Sequence, residues 1–393
     1  MSPGADTGRF RLILSHDEAA AELDTIGIGK ERVVSLMDGA HLGLHALPVP
    51  YSDAEYFAAE AHRRADGHPL DCLSVMASSI GSSAYAGSEN GILHAVVGAE
   101  YVSRIAVMCD RMTPVIRKMS GYDAKIRKDF TLQQILRRFR TPTWVEANEA
   151  AHGFPDVMSN GHPFGGFMVF HDAIRLIWVH EWAHILLGHA EIWNEFGASG
   201  ILEEHSDARD TVLQNRIEDV PWAYALQCFE LQADQFAARF LASQIIRGYD
   251  QAGQMAGPSV DLIQRLAVMA AACGLLSIDA YLVQPERPPD QSSHPGAALR
   301  YMTLLHTIEE TTMRLEPRAL PWLRPTAFKM ISELSELCGD FFALLAATPM
   351  SAKTPMYKNL CEVQDYLMTE VGTTLWPLRS RYTYYPHGQL PDR

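Results

Sequence analysis

Residues 174–189 read IRLIWVHEWAHILLGH, and within them His180-Glu181-Trp182-Ala183-His184 forms an HExxH pattern. Ile174, Ile177, Trp178, Ile185 and Leu186 recur at helical spacing, so the stretch reads as an apolar helix. Residues four apart lie one above the other on a helix. His180 and His184 can therefore hold one metal ion between them. Glu181, one step round, stands beside an open coordination position, where a carboxylate can take a proton from a water. A buried amphipathic helix with two incidental histidines is the plainer alternative. Against it, two imidazoles and a carboxylate are costly to bury without partners, and a metal would satisfy them.

Two histidines leave a zinc ion short, because a catalytic zinc takes three protein ligands and a water. The pattern HExxHxxGxxH requires Gly at 187 and His at 190, and Leu187 and Ala190 stand there instead. The better third ligand is Glu230, on a helix expected over about 222–247, after the Asp219 and Pro221 start signals and before Gly248. Leu226, Phe229, Ala233, Phe236, Ala237, Phe240 and Leu241 give that helix an apolar face. Asp234 lies on the same side as Glu230 and can accept a hydrogen bond from the non-ligating nitrogen of His180 or His184. Ordinary surface charge is the alternative for both carboxylates, and the apolar surroundings disfavour it. His189 either lines the cleft or caps the helix end, where positive charge is favourable. His162, His171 and His205 read as surface or loop histidines.

HEWAHILLGH, ELQADQFAARFLAS and SHPGAALRYMTLL, in that order, resemble the three signatures of gluzincin metallopeptidases of the HtpX and CAAX-processing type. The matches fall on His180, Glu181, His184 and His189, on Glu230, Ala233 and Asp234, and on His294, Pro295 and Arg300, within roughly residues 160–310. The resemblance implies one zinc per chain and endopeptidase activity. It also implies that His294 helps to stabilise the oxyanion and that Arg300 orients the site. Members of that type usually carry transmembrane helices near the motifs or a signal peptide. Here the only comparable stretch is Leu266–Val283. Arg265 at its start, Asp279 within it and its small Ala and Gly residues favour a buried core helix. Membrane association is therefore not expected, although the length of this stretch leaves it open. The N-terminus has no long apolar run before its first acidic residues and does not read as a secretory signal.

A formal net charge of −14 argues against general affinity for nucleic acid. The six cysteines are scattered without a CxxC pair, which points to free thiols and, with the N-terminus, to a cytoplasmic protein. Nine basic residues between Arg111 and Arg140 read as a solvated face, with few aromatics to suggest a nucleic-acid surface. Strands are expected at Phe10–Leu14, Ile92–Val97 and Phe167–Phe170, the last running into the motif helix with a free edge for an extended peptide. A helix is expected from Ser52 to about Arg64, and another over Ala99–Met119. The Ser-, Gly- and Ala-rich run 76–91 reads as a flexible connection and Glu191–Asp219 as an acidic surface insertion or lid. Leu299–Met313, Thr326–Ala347 and Tyr357–Val371 read as helices, and Tyr382–Arg393 as an extended tail.

The fold expected is α+β and mostly helical. A zincin-like core would hold an active-site helix (about 172–189), a preceding edge strand and the second ligand-bearing helix. The divisions expected are a mixed N-terminal region (1–150), a metallopeptidase core (151–315) and a helical C-terminal region (316–393). The function expected is hydrolysis of peptide bonds in a protein or peptide substrate, with Glu181 as general base and a regulatory, stress or phage-defence role. The rival readings are a zinc-containing sensor or binding protein with a vestigial site, and a helical scaffold that recognises a partner through the basic segment.

Overall fold

The computed structural model describes residues 10–12, positions 53 and 57, most of 67–77, 84–89, 92–98, six positions within 101–109, and 166–196, 201–203, 216–250 without 218, 260–283, 294–323 without 322, and 355–384. The expected helix at Thr326–Ala347 and the basic segment 111–140 lie outside the described residues. So do Ser52, Glu55, His162 and His205. Among the described residues the protein is mostly helical with a small mixed sheet.

The sheet is assembled from β1 (Phe10–Leu12), β2 (Cys72–Ala77), β3 (Ala84–Glu89), β4 (Ile92–Gly98) and β5 (Ile201–Glu203), in the spatial order β1-β2-β4-β3-β5. β1 and β2 run parallel, as do β2 and β4, whereas β3 is antiparallel to both β4 and β5. The β3–β4 pairing continues to Glu89↔Ile92, so the Asn90-Gly91 dipeptide is the whole connection, as expected of a hairpin. The run 76–91 is thus not simply a flexible connection: it contains the end of β2 and all of β3. Its small residues serve close packing. Ala84, Ala86 and Gly87 are buried where two helices lie on the strand.

Those helices are α1 (Gly166–Leu186) and α2 (His189–Phe196). α1 is buried on almost every side because it packs against the sheet, α3 (Trp222–Asp250) and α4 (Val260–Val283). The strand expected at Phe167–Phe170 is instead the start of α1. A short continuous apolar run has no period to separate strand from helix, and here Val169 and Phe170 continue the buried face of Ala173 and Ile174. The edge strand beside these helices is β5, which follows them in the chain. The acidic stretch after His189 is likewise no simple surface insertion: Ile192 and Trp193 of α2 are buried, and Trp193 stacks on Trp222 at 5.1 Å.

After α4 come α5 (Ala297–Leu315), then α6 (Pro355–Asp365), a π-helical segment (Tyr366–Val371) and α7 (Gly372–Tyr382). The helix expected to stop at Val371 therefore continues to Tyr382. One core cluster unites Phe57, the sheet, α1, α3, α4, α5 and Tyr384. Among the described residues no helix is long and apolar enough to cross a membrane. Arg265 and Asp279, two of the charges in α4, are both buried and paired. Arg265 binds Asp172 of α1, and Asp279 takes a forked pair of bonds from Arg104 at 2.6 and 2.7 Å. Burial alone would raise the Asp172 pKa, but Arg265 outweighs it and holds the carboxyl down at about 2.

Gly188 ends α1 with φ +78°, and its N–H bonds to Ile185 O at 3.0 Å. α2 then departs in a new direction. The C-terminal segment closes over this turn: Tyr384 N and Thr383 Oγ1 both donate to Leu186 O, at 2.9 and 3.1 Å. A Cβ at position 188 would meet Tyr382 Cβ at 2.7 Å. Gly188→Ala is expected to cost about 2–5 kcal/mol in urea unfolding, from left-handed strain and overpacking together.

In β4, burial lowers the pKa of His94 from 6.5 to about 4. The unfolded chain then binds a proton that the folded chain refuses. Stability is full above pH 6.5 and declines as the pH falls from 6.5 toward 4, by about 3 kcal/mol in all. Unfolding of His94→Gln followed across that range should show a correspondingly shallower decline.

Candidate metal centre

α1 and α3 pack side by side, as their small and apolar faces require, and bring three donors to one point. His180 and His184 face each other through their Nε2 atoms at 3.0 Å. Glu230 Oε2 lies 3.4 Å from His180 Nε2, and Oε1 lies 3.5 Å from His184 Nε2. All three side chains are buried. This group could hold a metal ion. The spacing suits one: ligand bonds of about 2.0–2.1 Å in a tetrahedron set donors about 3.3 Å apart. Glu230 Oε2 is buried without a hydrogen-bond partner, a costly condition that a cation would relieve.

Around the triangle lies a layer of charge and hydrogen bonding. Asp234 Oδ1 is 2.9 Å from His180 Nδ1, and Arg300 of α5 grips Asp234 with two bonds of 2.9 and 2.8 Å. His294, just before α5, places Nε2 3.8 Å from Glu230 Oε1. On the far side His184 Nδ1 meets His189 Nδ1 at 3.1 Å, and His189 Nε2 meets Gln232 Oε1 at 3.1 Å. On an unbroken helix, residues five apart diverge by about 140°. The turn at Gly188 folds His189 back against His184. Glu181, next to His180 in the chain, is buried. Expected as a surface or loop residue, His171 is half-buried against Asp172, away from the triangle.

The protonation states follow. Burial would raise the Glu230 pKa, but His294, His180 and His184 more than offset it and keep the carboxylate well below its usual range. Burial would lower His180, yet Asp234 and Glu230 raise it well above 6.5. Burial takes His184 down to about 3. In the metal-free pair the extra proton is thus on His180 while His184 is neutral, and that proton must leave when a metal takes its place.

The sequence pointed to His180, Glu181, His184, Glu230, Asp234, His189, His294 and Arg300; contacts in the structure join seven of these, and Glu181 is buried next to His180 in the chain. Two further members, Gln232 and Arg379, carried no sequence signal. Gln232 lies two positions from both Glu230 and Asp234, and Arg379 stands in a segment with no motif. Comparisons with protein-family models, with curated proteins and with solved structures return no match.

Elemental analysis should find about one divalent metal per chain. Glu230→Ala should weaken its binding by at least about 100-fold, and Asp234→Asn by about 10–100-fold, in competition with a chelator.

Proposed function

We propose that the protein is a zinc-dependent endopeptidase of the gluzincin type. The observation that carries this reading is the buried His180–His184–Glu230 triangle, with a buried Glu181 following His180 in the chain. Two imidazoles and one carboxylate are a donor set of catalytic zinc, and three protein ligands leave a position free. When bound, the metal supplies Lewis-acid polarisation to a water and to a scissile carbonyl. Glu181 takes the proton of the attacking water on its carboxylate and returns it to the leaving amine. Asp234, held by Arg300, keeps the His180 ring in place through Nδ1. His294 stands on the Glu230 side, where a donor can meet the developing oxyanion. The substrate class is a protein or peptide, in keeping with an acidic chain of net charge −14 that disfavours nucleic acid.

A second reading has one observation in its favour. His180, Glu181, His184 and Glu230 are all at most 5% exposed, as suits a zinc-containing sensor or binding protein with a vestigial site. Activity against an unstructured protein separates the two. The zinc-loaded protein should cleave it, and Glu181→Gln should keep its zinc while cleavage falls by about 100- to 10,000-fold. Equal cleavage by the variant would remove Glu181 from the mechanism. A zinc-loaded protein that cleaves no member of a peptide library would favour the sensor.

A further inference from the structure

The C-terminal helix α7 reaches the metal centre through a directed chain of hydrogen bonds. Arg379 of α7 donates to Gln232 Oε1 of α3. A guanidinium can only donate, so the Gln232 atom that faces it must be the carbonyl oxygen. The amide nitrogen then points the other way, and it donates to Cys228 Sγ at 3.2 Å. His189 Nε2 lies 3.1 Å from the same carbonyl oxygen and must donate to it. The His189 ring is buried and stacked on Phe229 at 4.4 Å. In an imidazole whose Nε2 carries the hydrogen, Nδ1 is the acceptor, and here it faces His184 Nδ1–H at 3.1 Å. The His184 lone pair is thereby left on Nε2, the atom that faces His180 and Glu230.

We propose that Arg379 is a positioning residue of the metal centre, which acts through Gln232 and His189 to hold His184 in its metal-binding tautomer. The inference rests on the metal-binding reading above. A second contact ties the same helix to the same amide. A Cβ on Gly372, the first residue of α7, would stand 3.3 Å from Gln232 Nε2 and 3.6 Å from Cys228 Sγ. The π-helical segment Tyr366–Val371 delivers the chain to that close approach.

The test is zinc affinity by competition with a chromophoric chelator, on the full chain, with circular dichroism to confirm folding. Gln232→Leu, which removes the acceptor, is expected to weaken zinc about 10- to 100-fold. Arg379→Met lets the Gln232 amide flip and present N–H to His189, and a loss of about 10-fold is expected. Adding Gln232→Glu to Arg379→Met should restore affinity to within about threefold of the parent, because a carboxylate can only accept. Imidazole nitrogen shifts of the zinc-loaded parent should place protons on His184 Nδ1 and His189 Nε2. Parent-like affinity in both single variants would overturn the proposal while leaving the metal site standing. So would a loss that Gln232→Glu fails to rescue, or a His189 proton found on Nδ1. A parent that binds no zinc would overturn the metal reading and this inference together.

Discussion

Between α1 and α3 lie two imidazoles and two carboxylates out of reach of water, and no one of them is tolerable there alone. His180 stands between Asp234 and Glu230, Glu230 between His180, His184 and His294, and Asp234 between His180 and Arg300. Removing one partner leaves a buried charge uncompensated, which typically costs about 3–5 kcal/mol. The helices must therefore pack in the one register that closes this set. α5 is held to the same register, because it carries Arg300 and follows His294.

The remaining architecture keeps that register from slipping. Asp172 binds Arg265, and Arg175 holds Asp53 with two bonds of 2.8 Å, so two charges near the start of α1 are locked to other parts of the chain. At the other end Gly188 turns the backbone sharply, and Thr383 and Tyr384 occupy the carbonyl of Leu186 that the turn leaves exposed. The helix that bears HExxH is thus fixed by ion pairs at its start and by hydrogen bonds at its end. Donors separated by 3.0 to 3.5 Å need such rigidity to converge on one ion.

Elements with a strong periodic signal were legible, and elements set by close packing were not. Leu266–Val283 reads as a core helix because Arg265 and Asp279 have no place in lipid, and both are found in buried ion pairs. Phe167–Phe170 misled because four apolar residues in a row suit either a strand or a buried helix. Ala84–Glu89 misled because Ala and Gly mark tight packing as readily as flexibility. The acidic run after His189 hid Ile192 and Trp193, whose burial depends on Trp222 far along the chain.

By itself the sequence determined which side chains share a helical face: His180 with His184, and Glu230 with Asp234. A fixed rise and twist make spacing equivalent to direction, so the ligand candidates and their apolar backing could be read directly. Only the tertiary structure decided that α1 and α3 meet so that Nε2, Nε2 and a carboxylate close into one triangle. It alone decided that His189 turns back onto His184, and that Gln232 and Arg379 stand behind it. Contacts between residues 147 positions apart, such as Gln232 and Arg379, leave no periodic trace in the chain. Such pairs exist only once packing has brought them out of water together.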